Sequence, residues 1–356
     1  MRVPAISLCL VVCVVVGCGA AEGGESGTAA ESSSGASTGG SSGATVTPTT
    51  GGATSTSGGE TTATTSGAAS SSGAGDSSSG SGGESTGAGS TGSTGGDGVI
   101  VVEGLSHPEA IAHDLVDDVY LISNINGAPD AVDDNGFISR VLPDGTIEAL
   151  TFIDGGDDTV VLDAPKGMVI VDDTLWVADI TRVRKFHRVS GLPLGEVVID
   201  GAVFLNDLAA DAEGNIFVSD TGSNIIHAID TKDQPAVMLV SPAVFGPNGL
   251  WVHADRLYLA TYNDTKIFSV TLDVPVAFPE VTLAVGQLDG LVHLEDGDWL
   301  VSSWEAPGVL RVSADFGTVT TQVADLSSPA DIAVDEGRKL ILIPRLLEDR
   351  AEFHPL

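Results

Sequence analysis

Cysteine is nearly absent. The 356-residue chain has three, Cys9, Cys13 and Cys18, and residues 19–356 have none. That stretch can form no disulfide of its own. It offers neither a thiol nucleophile nor a Cys-ligated zinc site. Positive charge is also scarce: 15 Lys and Arg stand against 49 Asp and Glu, for a formal net charge of −34. Such a field repels nucleic acid and anionic membrane faces and is compatible with cations. Long apolar runs are missing as well. The run at 5–16 falls short of the about 20 residues that a membrane helix needs. Beyond residue 98 no long stretch has helical periodicity.

What is present divides into three materials. Residues 1–17 begin with Arg2, continue apolar and end in "VVGC" at 15–18. This pattern suits a secretory signal, and it resembles the bacterial lipoprotein signal, in which Cys18 becomes the lipidated N-terminus. Gly19 follows the cysteine, which in such lipoproteins favours the outer membrane. Residues 18–98 are almost wholly Gly, Ser, Thr and Ala, with Val46 the one large apolar side chain from 19 to 98. Nothing there can offset the entropy of ordering, so a disordered tether is expected, with a reach of roughly 50 Å. Seven acids and one base fall before residue 99, a net −6, so a net charge of −28 out of −34 belongs to 99–356. That last segment is long enough for one full domain.

Residues 99–356 repeat a phrase. "SHPEA" (106–110), "APKGM" (164–168), "FLNDL" (204–208), "GPNGL" (246–250), "QLDGL" (287–291) and "SPADI" (328–332) each introduce a short apolar strand. The varying position is Glu109, Lys166, Asn206, Asn248, Asp289 and Ala330, with gaps of 57, 40, 42, 41 and 41 residues. Each phrase leads into period-two strands separated by Gly, Asp and Asn turns. A period near 41 with several strands per unit predicts an all-β fold, a six-bladed β-propeller with mainly four-stranded blades. The long first gap is assigned to an insertion at roughly 125–136 and the acidic stretch "DGGDD" at 154–158. The last repeat has room for three strands, so residues 99–102 are expected to supply the fourth and close the ring.

In such a ring the varying residue of every repeat points toward the axis. Two carboxylates and two amides make an oxygen-rich set that suits Ca2+ better than zinc or Mg2+. Here the sequence resembles the six-bladed calcium propellers of the senescence marker protein/gluconolactonase, paraoxonase and diisopropylfluorophosphatase superfamily, over about 105–345. The resemblance rests on Glu109 in "HPEAI", Asn206 in "LNDL", Asn248 in "PNGL" and Asp289 in "LDGL". It implies that Glu109, Asn248 and Asp289 bind a catalytic calcium and that Asn206 binds it or touches substrate. Asp289 is implied as the nucleophile or general base. The expected activity is calcium-dependent lactone or ester hydrolysis by a monomer tied to the cell envelope through lipid on Cys18. Its partner would be a small-molecule substrate, with no nucleic acid. A non-catalytic surface propeller that binds a ligand or protein partner is the alternative.

Lys166 departs from a calcium ring, since an ammonium repels the ion. It is expected either above the metal, orienting substrate, or in the metal's place, paired with Glu109 and Asp289. His107 lies two residues before Glu109, within reach of the channel mouth. His113, His187, His227, His253 and His293 read as packed or surface residues. "VADI", "VSDTGSN" and "VSSWE", with Asp179, Asp220 and Ser302, read as a second recurring phrase that makes hydrogen bonds within a blade. Tyr262 and Trp304 are expected at a mouth.

Overall fold

The computed structural model describes residues 93–94, 98–157 and 159–356. The readings for the signal, Cys18 and most of the tether, and for Asp158, lie outside the described residues. The rest is the expected six-bladed propeller. Five blades are four-stranded antiparallel sheets in sequence order: Pro108–Asp154, Pro165–Val198, Leu205–Val240, Pro247–Thr282 and Leu288–Val323. The sixth has three strands, Ala333–Asp335, Leu340–Arg345 and Arg350–Pro355, and takes its fourth from Ile100–Glu103. Ile100 pairs with Phe353 and Val102 with Ala351, so the start of the domain closes the ring as expected. Ser93–Thr94 extends that sheet by one short strand.

Alternation along each strand gives a blade two apolar faces. Each face meets the next blade, which yields six apolar clusters, one at every blade junction. Leu121 and Ile138 of blade 1 pack with Met168 and Phe186 of blade 2. At the closing junction Val102 and Phe353 pack with Tyr120 and Ile122. Side chains that are apolar on both faces of a strand therefore need no helix to cover them.

The recurring phrase forms a bend at the start of each innermost strand. In five blades the ladder to the second strand skips two residues there, for example between Pro108 and Ile111 and between Leu288 and Leu291. The skipped pair is the varying residue and its follower. Just before it, His107, Gly246, Gln287 and Ser328 take positive φ of 48°, 66°, 49° and 45°. A bulge of this kind re-aims a side chain that regular pleating would bury between blades. The freed follower N–H is taken by a serine of the second strand: Ala110 by Ser123 (2.9 Å), Asp207 by Ser219 (2.9 Å) and Gly290 by Ser302 (2.8 Å). Asp179 and Asp220 hold the loop before the bend: Asp179 accepts from Ala164 N–H, and Asp220 from Val203 and Phe204 N–H. The second phrase thus works within the blade, as read from the sequence.

The insertion is the connection between Asn124 and Phe137 of blade 1, the second-to-third strand link. Asn126 ties it down by donating to the Asn135 carbonyl at 2.9 Å. Arg345 fixes blade 6. Its guanidinium bonds Glu352 (2.6 Å) and the Ser327 carbonyl (3.0 Å) and also pairs with Glu348.

Candidate functional site: a polar ring in the channel

Five bends deliver Glu109, Lys166, Asn206, Asn248 and Asp289 to one end of the channel, with Ala330 of blade 6 completing the ring. All five polar members are buried, at 1–7 % exposure. The Asn248 amide donates to one Asp289 oxygen at 3.0 Å, and the Trp304 indole N–H donates to the other at 2.9 Å. Asn206 donates to the Thr221 hydroxyl at 3.1 Å. Two oxygens in the ring, Glu109 Oε2 and Asn206 Oδ1, are buried with no hydrogen-bond partner. Buried acceptors without donors are costly and rare, and they mark a place for a cation or water.

Lys166 does not pair with the ring carboxylates. Its ammonium donates to the Ala164 carbonyl at 2.9 Å and lies 4.5 Å from the centre of the Phe204 ring. Among the described residues it forms no ion pair with Glu109 or Asp289. Burial brings its pKa down to about 8, against the attraction of Glu109, Asp179 and Asp130.

Two further carboxyls reach the same axis, and the sequence reading missed both. Asp207 and Asp331 are the followers in blades 3 and 6, opposite each other, and the Asp207 charge acts directly on Asp331. The signal was in the repeat: the follower is Ala110, Gly167, Gly249 and Gly290 in the other blades and Asp in these two. Asp207 also accepts from the N–H groups of Leu208 and Leu250, both at 2.6 Å. The glycines are needed. A Cβ at Gly249 would collide with the Asp289 carbonyl, and one at Gly167 with Asp207.

Four carboxyls therefore crowd one axis in low dielectric, which disfavours their charged forms. Burial, then Asp289 and Asp207, push Glu109 well above the usual carboxylate range against the pull of Lys166. Burial, with Asp207, Glu109 and Asp289 adding, does the same to Asp331. Burial lifts Asp289 to about 7 despite the Trp304 and Asn248 bonds, and lifts Asp207 to about 7. Either protons or a cation must balance such a group. The donor set, carboxylate and amide oxygens with unpartnered acceptors, fits a hard divalent cation held by Glu109, Asn206, Asn248 and Asp289.

Below the ring the channel widens into a cavity of about 710 Å³ that starts at Asp207 and Asp331 and is walled by residues such as Leu250 and Ile332. It runs to the opposite face of the wheel, where the His253 and His293 ring centres lie 4.1 Å apart, the planes tilted by 34°. His113, Asp118 and Asp335 also cluster there within metal-binding distance of one another. That cluster already has its cation: Arg338 bonds Asp118 at 2.8 Å and Asp335 at 2.7 Å, and Tyr120 donates to Asp335. His107 lies on the ring side, and its Nδ1 is buried without a hydrogen-bond partner, 3.7 Å from Asp349.

No protein-family model matches the sequence, and no curated protein matches it. Solved structures do match. A gluconolactonase from Xanthomonas campestris superposes with a TM-score of 0.57 at 14% identity, over 73% of this chain and 90% of that one. A putative gluconolactonase gives 0.56 at 13% identity, over 71% and 89%. A streptogramin B lyase gives 0.52 at 12% identity, over 72% and 97%. At such identities the likeness establishes the propeller fold alone.

Proposed function

We propose that the polar ring is the centre of a calcium-dependent hydrolase of lactone or ester type. The observation that carries this reading is the pair of buried, partnerless oxygens, Glu109 Oε2 and Asn206 Oδ1, in one ring with Asn248 and Asp289. Gluconolactonases among the solved structures of similar backbone support the same reaction class. Glu109, Asn206, Asn248 and Asp289 would hold the ion. A bound divalent cation supplies polarisation of the substrate carbonyl and stabilises the negative charge that forms on attack.

The chain's own groups do the rest. Asn248 and Trp304 fix both oxygens of Asp289, so its carboxylate has one orientation. From there Asp289 takes a proton from water as the water oxygen adds to the carbonyl carbon. The ring C–O bond of the lactone then breaks, and the proton passes to the leaving alkoxide. Lys166 stands beside the ring as a cation and steadies the oxyanion or a substrate carboxylate, and Asn206 shares substrate contact. Burial of the whole ring excludes bulk water.

In this reading the protein is a monomer. Lipidated Cys18 ties it to the bacterial envelope at the outer membrane, and residues 18–98 serve as a tether to the domain 99–356. Mass spectrometry of the mature N-terminus tests the lipid. Asp289→Asn tests the chemistry: turnover of lactones falls by several orders of magnitude while the melting temperature holds, and unchanged turnover removes Asp289 from its role. Lys166→Ala is expected to weaken turnover. A gain in calcium affinity without loss of turnover would instead show the ammonium competing for the metal's place.

A further inference from the structure

A second ring stands against the first. The residue that follows the second strand of each blade is Ile125, Ile180, Thr221, Tyr262, Trp304 and Leu346 in turn. In five blades its N–H donates to the carbonyl two residues ahead of the polar ring position. Those bonds are Ile125 to His107 (3.1 Å), Thr221 to Phe204 (3.0 Å), Tyr262 to Gly246 (2.7 Å), Trp304 to Gln287 (3.0 Å) and Leu346 to Ser328 (3.1 Å). The same bends that aim the polar ring therefore seat this collar beside it.

The collar is apolar. Its one aliphatic hydroxyl, Thr221, is already engaged: it accepts from Asn206 and donates to the Pro247 carbonyl at 2.6 Å. The Trp304 N–H is spent on Asp289. On the Lys166 side Ile125, Ile180 and Leu346 pack with Ala164 into one cluster. Ile180 holds φ of 55° there. A β-branched residue in that region is strained, and such strain persists where the surroundings demand one side-chain position. On the other side Tyr262 and Trp304 meet edge to face at 6.2 Å and are only half-buried. Burial and nearby Asp289 push the Tyr262 phenol up to about 12. Beyond Phe204, Val203 and Phe245 carry apolar surface to solvent, 55 % and 50 % exposed.

From this arrangement we infer that the site takes a lactone or ester with an apolar body, alkyl- or aryl-substituted, and not a polyhydroxylated sugar lactone. The inference rests on the hydrolase reading above and names its substrate class. The carbonyl sits at the ring, and the apolar body lies along Trp304, Tyr262 and Phe204 toward Phe245. Hydroxyls of a sugar would be stripped of water there with few partners, which costs binding. Each methylene laid on this wall removes apolar surface from water and is worth about fourfold in binding.

The test uses the purified protein in calcium with γ-lactones of 4, 6, 9 and 12 carbons and with glucono-δ-lactone. Ring opening is followed by pH-stat. The corresponding ring-opened 4-hydroxy acids, which cannot turn over, are titrated by calorimetry. Both kcat/KM and affinity should climb about fourfold per methylene over the first added carbons, with glucono-δ-lactone the poorest substrate. Val203→Ser and Phe245→Ser, both at exposed positions, should flatten the climb. A flat series in both readouts, or preference for the sugar lactone, overturns the apolar substrate class whether or not lactones are hydrolysed. Absent turnover with a hydroxy-acid affinity that still climbs removes the hydrolase and keeps the collar. Absent turnover with no climb removes both.

Discussion

Asp289 is held by two neutral donors, an amide on one oxygen and an indole on the other. Trp304→Phe keeps the ring face and deletes only the N–H. A hydrogen bond to a charged group is worth about 1.5–3 kcal/mol. Steady-state kinetics should therefore show kcat reduced roughly 10- to 100-fold with KM little changed. An equal loss in KM alone would mean that Trp304 only binds substrate. The residues of the ring were legible in the sequence because each follows a Pro or Leu at one register of the repeat, just ahead of an apolar run. Asp207 and Asp331 were not, since the reading stopped one residue short. The contact between Trp304 and Asp289 could not be read at all. It joins a second-strand end to the bend of the same blade, and only the bulge brings them together.

At the scale of the strand and its loop, two devices carry the site. One is the close approach of inner strands at the glycines. Gly249→Ala puts a methyl group into the Asp289 backbone and should cost about 2–4 kcal/mol in urea unfolding. The other is Asp220, whose carboxylate accepts the N–H groups of Val203, Phe204, Gly222 and Ser223. Burial alone would raise its pKa, but nearby His227, 3.8 Å away, and these amide bonds hold it at about 2. An unfolded aspartate titrates near 3.9. The stabilisation from Asp220 is thus present above about pH 4 and lost as pH falls through about 2. Urea midpoints measured from pH 6 to pH 2 should fall more steeply in the native protein than in Asp220→Asn. Parallel curves would contradict this role. The recurrence of "VADI" and "VSDTGSN" gave away the hydrogen bonding, whereas of the collar only Tyr262 and Trp304 were expected at a mouth, because its members share no residue type.

The whole wheel depends on its closing strand. Six interblade clusters make a continuous core, and the one between blades 6 and 1 is sealed by Val102, Ile100 and Phe353. Deleting residues 99–103 exposes the edge at Arg350–Pro355 and that cluster, so melting temperature should drop by well over 10 °C and the protein should associate through the open edge. A deletion protein that stays monomeric and equally stable would mean that the closure is ornamental. The six-fold count, the insertion in blade 1 and the closure itself were all legible, since period and strand alternation are local properties of the chain. Opposition of blades 3 and 6 across the axis, which brings Asp207 to Asp331, emerges only once the ring is closed.

The central claim is that the ring of Glu109, Asn206, Asn248 and Asp289 holds a divalent cation. Calorimetric titration of the chelator-stripped protein with Ca2+ tests it most directly. The account predicts one ion per chain, a rise in melting temperature on binding, and loss of both in Glu109→Gln. No calcium binding by a folded, stripped protein, with its melting temperature unmoved by the ion, would contradict it.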